Sequence, residues 1–194
     1  MRKFILLLLT YFFLPASAQK VTMDRIGDDG AHHVMTSSKR MKFGKGKYDF
    51  SLSYFQDKEV SGWCLIVSSF TYISESTEIL LKLRNDSIIH LKCATVNTGS
   101  VKEASYGIPL GYGVTYNTPE TEKTYYSSGF AISQSDLDEI AYRGITKIRF
   151  STGVDYIDKT IPNDSFGSFL TNSRKNIQKR IIHKAEKGNL YDGF

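Results

Sequence analysis

Apolar and polar residues alternate cleanly from Lys47 to Phe55: Tyr48, Phe50, Leu52 and Tyr54 share one face, and Asp49, Ser51 and Ser53 the other. That period of two predicts a half-buried strand. The next apolar run, residues 62–73, is unbroken through Trp63, Cys64, Leu65, Ile66 and Val67. It predicts a central strand covered on both faces. Ile79, Leu81 and Leu83 then alternate with Leu80, Lys82 and Arg84. Beyond Asn85-Asp86-Ser87, Ile89, Leu91 and Cys93 alternate with His90 and Lys92, which predicts a hairpin. A two-residue loop would mix the faces. A three-residue loop at 85–87 pairs Leu83 with Ile89, Leu81 with Leu91 and Ile79 with Cys93, keeping the apolar row together.

Residues 95–119 are rich in Gly, Ser, Thr and Tyr and predict one or two short strands with loops, before a further strand at 124–132. The period then lengthens. Leu137, Ile140 and Ala141 have helical spacing, Ser133 or Ser135 caps them, Asp136, Asp138 and Glu139 suit the first turn, and Gly144 ends the helix. A strand at 145–152 follows, with Ile148 and Phe150 inward and Lys147 and Arg149 outward. Asn163-Asp164-Ser165 offers a second cap. Phe166, Phe169, Leu170, Ser173, Ile177 and Ile181 trace one stripe of a long helix at about 165–187, with Gly188 as its stop. At the other end, residues 19–39 are polar and weakly patterned, with a turn at 27–30, a strand opening at His32, and a first stretch expected to fray.

These elements predict a mainly β chain: an antiparallel β-sandwich or curved sheet of about seven to nine strands, with one short helix and one long C-terminal helix packed on it. The sequence shows no internal repeat and no linker that divides it. A single β-rich domain over 19–194 is expected, behind a leader. Met1-Arg2-Lys3, an apolar run from Phe4 to Leu14, and Pro15-Ala16-Ser17-Ala18 have the three parts of a secretory signal peptide spanning 1–18. The apolar run is about half the ~20 residues that a spanning helix needs. A periplasmic or secreted location is the expectation.

Composition changes this picture little. The 194 residues are 41% hydrophobic and 23% charged, which excludes disorder, collagen and coiled coil. The net charge of +5 is localised: Arg2 and Lys3 lie in the leader, and Arg174, Lys175, Lys179, Arg180, Lys184 and Lys187 crowd the last helix against Glu186. It therefore does not argue for nucleic-acid binding. A basic helix of this kind also suits a membrane surface, but a helix docked on its own sheet shows the same pattern, and membrane association is not favoured.

Export permits a disulfide between Cys64 and Cys93. If 62–94 forms a three-stranded meander, however, the two lie roughly 26 Å apart, too far to bridge. Two buried structural thiols are expected. Neighbouring residues on a strand face opposite ways, so His32-His33 cannot chelate one ion; His183 and Glu186 read as a solvated helix face, and no metal or other cofactor is expected. No G-x-S-x-G, phosphate loop, zincin motif or dinucleotide fingerprint occurs. Paired acids such as Asp28-Asp29 or Glu120 and Glu122 would need the fold to bring them together. Tyr106, Tyr112, Tyr116, Tyr125 and Tyr126 crowd a glycine-punctuated stretch, which is the material of an adaptable binding surface, since rigid aromatics make contact at low entropic cost.

Residues 126–137, Tyr-Ser-Ser-Gly-Phe-Ala-Ile-Ser-Gln-Ser-Asp-Leu, with Gly144-Ile145-Thr146-Lys147-Ile148-Arg149-Phe150, resemble a strand, capped helix and strand unit of small exported β-rich proteins. With the leader, the chain is similar to uncharacterised periplasmic or secreted proteins of Bacteroides-type Gram-negative bacteria. The resemblance implies export and carries no catalytic or binding residues. The expected function is that of a non-enzymatic binding or structural domain for an envelope or extracellular macromolecule or glycan, contacted through the five tyrosines. The alternatives are an extracytoplasmic hydrolase with a dispersed site and a peripheral membrane-surface protein acting through residues 166–187.

Overall fold

The computed structural model describes residues 19–26, 31–57, 60–103, 107–111, 114–117, 120–151 and 155–189. The leader at 1–18 and the turn at 27–30 lie outside them. Twelve strands occur among the described residues: β1 (Val21–Ile26), β2 (His32–Thr36), β3 (Lys39–Phe43), β4 (Gly46–Gln56), β5 (Ser61–Ser69), β6 (Glu78–Leu83), β7 (Ile88–Glu103), β8 (Gly107–Gly111), β9 (Val114–Asn117), β10 (Thr121–Ile132), β11 (Ile145–Ser151) and β12 (Tyr156–Thr160). Helix α1 is Gln134–Arg143, and a 3-10 turn, Pro162–Asp164, leads into α2, Ser165–Asn189.

Ten strands form one antiparallel sheet in the order β1-β2-β4-β5-β10-β7-β6-β11-β12, with β3 also on β4; β8 and β9 pair separately. The sheet is open but strongly curved, so that its two halves face each other. Phe150 of β11 meets Tyr48 at 4.8 Å and Phe43 at 5.8 Å between ring centroids, and Lys159 Nζ of β12 donates to the Lys42 carbonyl of β3 at 2.9 Å. Helix α2 lies inside the curve. Its predicted stripe is the core: Phe166, Phe169, Leu170, Ser173 and Ile177 are buried, and Phe166 packs edge-on against Phe50 at 5.2 Å. Burying such side chains contributes ~1.5–3 kcal/mol each, so the helix belongs to the fold rather than to its surface.

Local chemistry fixes the ends of the elements. Ser133 and Asp136 form a reciprocal capping box on α1, which stops at Gly144, whose φ of 74° favours glycine. Asn163 and Asp164 both have positive φ, and the Asp164 carboxylate accepts the Ile145 amide at 2.6 Å, tying the start of β11 to the start of α2. The two helices are linked by Arg174 and Asp138 at 2.7 Å. β2 and β3 run along β4 as one strand interrupted by a bulge: Met35 pairs with Ser53 but Lys39 with Phe50, a shift of one residue. There the buried Thr36 hydroxyl replaces the missing ladder, donating to the Leu52 carbonyl at 3.3 Å and accepting from the Leu52 amide at 3.4 Å.

The mainly β antiparallel architecture with one short and one long C-terminal helix is as expected, its main sheet having ten strands because the short β3 and β12 join it. Several expectations are corrected. The stretch expected to fray is β1, paired with β2 from Val21 to Ile26. β5 stops at Ser69, leaving Phe70 and Tyr72 exposed. The β6–β7 hairpin turns one residue earlier than predicted, which moves the pairing by two: Leu81 pairs with Ile89 rather than Leu91, and Asp86 at φ 67° closes a loop of Arg84, Asn85 and Asp86, held by Lys82 at 2.7 Å. The shift is even, so the faces are unchanged. Helix α2 runs through Gly188 to Asn189. Most consequential, no β5-β6-β7 meander exists: β10 lies between β5 and β7. Cys64 and Cys93 are nonetheless free, but both are half-buried rather than buried. They sit two strands apart, and their rows face opposite sides of the sheet.

Candidate functional site

β7 and β10 pair from Glu103–Thr121 to Cys93–Phe130, but β5 accompanies β10 only from Tyr126 onward and β6 accompanies β7 only as far as Lys92. Residues 99–103 and 121–125 therefore leave the sheet as a two-stranded ribbon. A bulge at Ala94 sets its faces: Cys93 opposes Phe130 and Thr95 opposes Gly129, so odd positions of β7 point inward before it and even positions after it. This reversal hides the long strand from a simple alternation count.

The five predicted tyrosines divide accordingly. Tyr106 and Tyr112 lie outside the described residues, and Tyr116 is in β9, paired with Ile108. Tyr125 and Tyr126 stand at the root of the ribbon on its opposite faces. Each meets an aromatic residue that the sequence reading left out: Phe70 lies edge-on to Tyr125 at 5.6 Å, and Tyr72 edge-on to Tyr126 at 5.3 Å. Phe70 is 56% exposed and Tyr72 67%. Four rings thus straddle the ribbon at the point where it leaves the sheet. A hollow of about 530 Å³ opens there between Phe70, Tyr72 and Tyr126, and Lys123 pairs with Glu103 at 2.6 Å on its wall, holding that carboxyl below the usual carboxylate range. The only advance sign of Phe70 and Tyr72 was an aromatic pair just beyond a strand, placed there by the end of β5.

No protein family matches the chain, and no curated protein or solved structure matches it either. Function therefore rests on what these surfaces can do. Two further concavities matter. On the outer face of the sheet a groove of about 460 Å³ runs between Tyr125 and the β2–β3 bulge. At the far end of β5, an open cleft of about 700 Å³ lies between Trp63, Tyr54 and the Ile181-Ile182 segment of α2, with Ser61, Ser133, Gln134 and Gln178 among its polar side chains. Trp63 and Tyr54 pack at 4.7 Å.

For acid–base chemistry the three hollows offer little. The cleft beside Trp63 is lined by no ionisable carboxylate, the outer groove has Asp49, which both Arg40 nitrogens hold at 2.8 Å, and the ribbon root has Glu103 held by Lys123. Among the described residues no three of His, Cys, Asp and Glu gather as a metal site would require. His32 is bonded to Asp24 at 2.7 Å and His90 to Glu78 at 2.8 Å, each across neighbouring strands. Among the described residues no helix is long and apolar enough to cross a membrane.

Proposed function

We propose that the protein is an exported binding domain without catalytic activity, and that it grips an envelope or extracellular macromolecule through Phe70, Tyr72, Tyr125 and Tyr126 at the root of the β7–β10 ribbon. The observation that carries this reading is the two edge-on aromatic pairs, with Phe70 and Tyr72 more than half exposed. Exposing such rings has no folding benefit, and each can cover ~150–250 Å² of a partner at the cost of two side-chain torsions. A ribbon standing off the sheet lets an extended ligand reach both of its faces. The signal-peptide pattern at 1–18 supports a periplasmic or secreted setting. The test is cosedimentation with purified sacculi and outer-membrane fragments of the native host, comparing the wild type with a Phe70→Ala/Tyr72→Ala/Tyr125→Ala variant. Loss of more than ~90% of binding in the variant, with an unchanged melting temperature, supports the reading. Equal binding by both proteins, or none by either, overturns it.

A further inference from the structure

We infer that the outer groove beside Tyr125 is a binding site for one pyranose unit of a neutral glycan. The inference rests on the binding reading above and names the chemistry of its ligand. It starts from the sheet order. With β10 beside β5 and β3 beside β4, Arg40, Asp49, Ser68, Ser127 and Asn97 fall into one row across five strands of the outer face. The next row is Ser51, Ile66, Gly129 and Thr95. Small side chains dominate both rows. Gly129 keeps the second row low: a Cβ would crowd Thr95 Oγ1 at 2.8 Å and Cys64 Sγ at 3.0 Å. The result is a low floor between two walls, the Thr36–Ser38 bulge on one side and Tyr125 on the other.

One group in the groove has no use within the protein. Ser51 is 7% exposed, lines the groove, and its hydroxyl makes no hydrogen bond among the described residues. That hydroxyl is open to the groove, so a ligand hydroxyl can bond it in place of solvent. The neighbouring groups suit the same ligand. Ser68 and Ser127 hydroxyls lie 3.3 Å apart and each keeps further donor and acceptor capacity. Asp49 is fixed in orientation by both Arg40 nitrogens, so it presents remaining lone pairs without needing to reorganise. That pair sums to zero charge, which argues for a neutral ligand over an anion or a cation. Tyr125, braced by Phe70, offers an aromatic wall for the C–H face of a sugar ring. The volume of about 460 Å³ accommodates one ring with its substituents. Tyr125 belongs to both surfaces, so a chain seated in the groove continues naturally onto the ribbon root.

The test uses the exported, processed protein and two probes. The first is mobility in native gels containing neutral polysaccharides of gluco-, manno- and galacto- type. The second is the shift of backbone amide resonances on adding methyl glucoside, methyl mannoside or methyl galactoside to ~50 mM. Wild type is expected to be retarded by at least one polymer, and the matching glycoside to move the amides of Ser51, Ile66, Ser68 and Ser127. Ser51→Val, which fills the floor, is expected to weaken retardation at least tenfold, and Ser51→Ala and Asp49→Asn about fivefold each. Failure of every polymer and glycoside overturns the inference. Retardation that is lost in Phe70→Ala/Tyr72→Ala but unchanged in Ser51→Val, Ser51→Ala and Asp49→Asn also overturns it while leaving the ribbon-root reading intact. Sacculus binding that ignores both sets of variants removes that reading as well.

Discussion

Replacing Gly167 by alanine inside a helix would ordinarily add stability, and here it is expected to do the opposite. Alanine is favoured over glycine in a helix interior by up to ~1 kcal/mol. The new methyl carbon, however, would stand 2.2 Å from Asp164 Oδ1 and 2.9 Å from its Cγ. That oxygen is not free to yield, because it accepts the Ile145 amide at 2.6 Å and so joins β11 to α2. Moving it strands the amide of a buried residue and forfeits a charge-assisted hydrogen bond of ~1.5–3 kcal/mol. The net expectation for Gly167→Ala is a loss of about 1–2 kcal/mol, at ~2–4 °C of melting temperature per kcal/mol for a chain of this size. Asp164→Gly removes the obstacle, and glycine adopts the φ of 50° at that position without strain. In that background Gly167→Ala is expected to reverse sign and stabilise by up to ~1 kcal/mol. Urea midpoints of the four proteins in this cycle measure the coupling directly. A stabilising Gly167→Ala in the wild type, or the same loss in both backgrounds, would refute the packing argument.

Three further outcomes are expected. Thr36→Val keeps the shape of the bulge but leaves the Leu52 amide and carbonyl without their shared hydroxyl, costing about 2 kcal/mol in urea titration, whereas Thr36→Ser should retain most of the stability. Asp158 lies between Arg149 at 2.6 Å and Lys147 at 2.5 Å, hydrogen bonds that hold its carboxyl well below the usual carboxylate range. A depressed folded-state pKa contributes stability above the unfolded value of ~3.9 and loses it as the pH falls further. Asp158→Asn should therefore be slightly less stable than wild type at pH 7, with the gap closing below pH ~4; a gap independent of pH would refute this. Burial pushes the Cys64 and Cys93 thiols above their ordinary range. Alkylation of the folded protein at pH 7 should be slow, and unfolding without reductant should expose two reactive thiols by intact mass; a mass showing none would establish a disulfide that the fold does not allow.

What sequence alone determined is whatever depends on neighbours along the chain. Alternation over 47–55 is β4, the Ser133, Asp136 and Gly144 signals bound α1, and the apolar stripe from Phe166 to Ile177 is the buried face of α2, because a period of two or 3.6 decides which side chains share a face before any partner is known. Tyr125 and Tyr126 are both half-buried, and Tyr126 packs against the core, which the composition of their segment did not indicate. The hairpin turned one residue early, moving the pairing by two, because the loop is set by the αL residue Asp86, a choice that the even-numbered alternation cannot distinguish. Strand order belongs to another level. Nothing near Cys64 or Cys93 encodes that residues about 60 positions downstream of β5 will separate them, since the gain from pairing β10 there comes only when both faces of the sheet close over a common core. That one insertion sets Ser68 against Ser127 and carries Tyr125 to Phe70. The faces of the strands follow from periodicity within each segment. The groove and the aromatic root exist only because contacts between distant segments place those faces side by side.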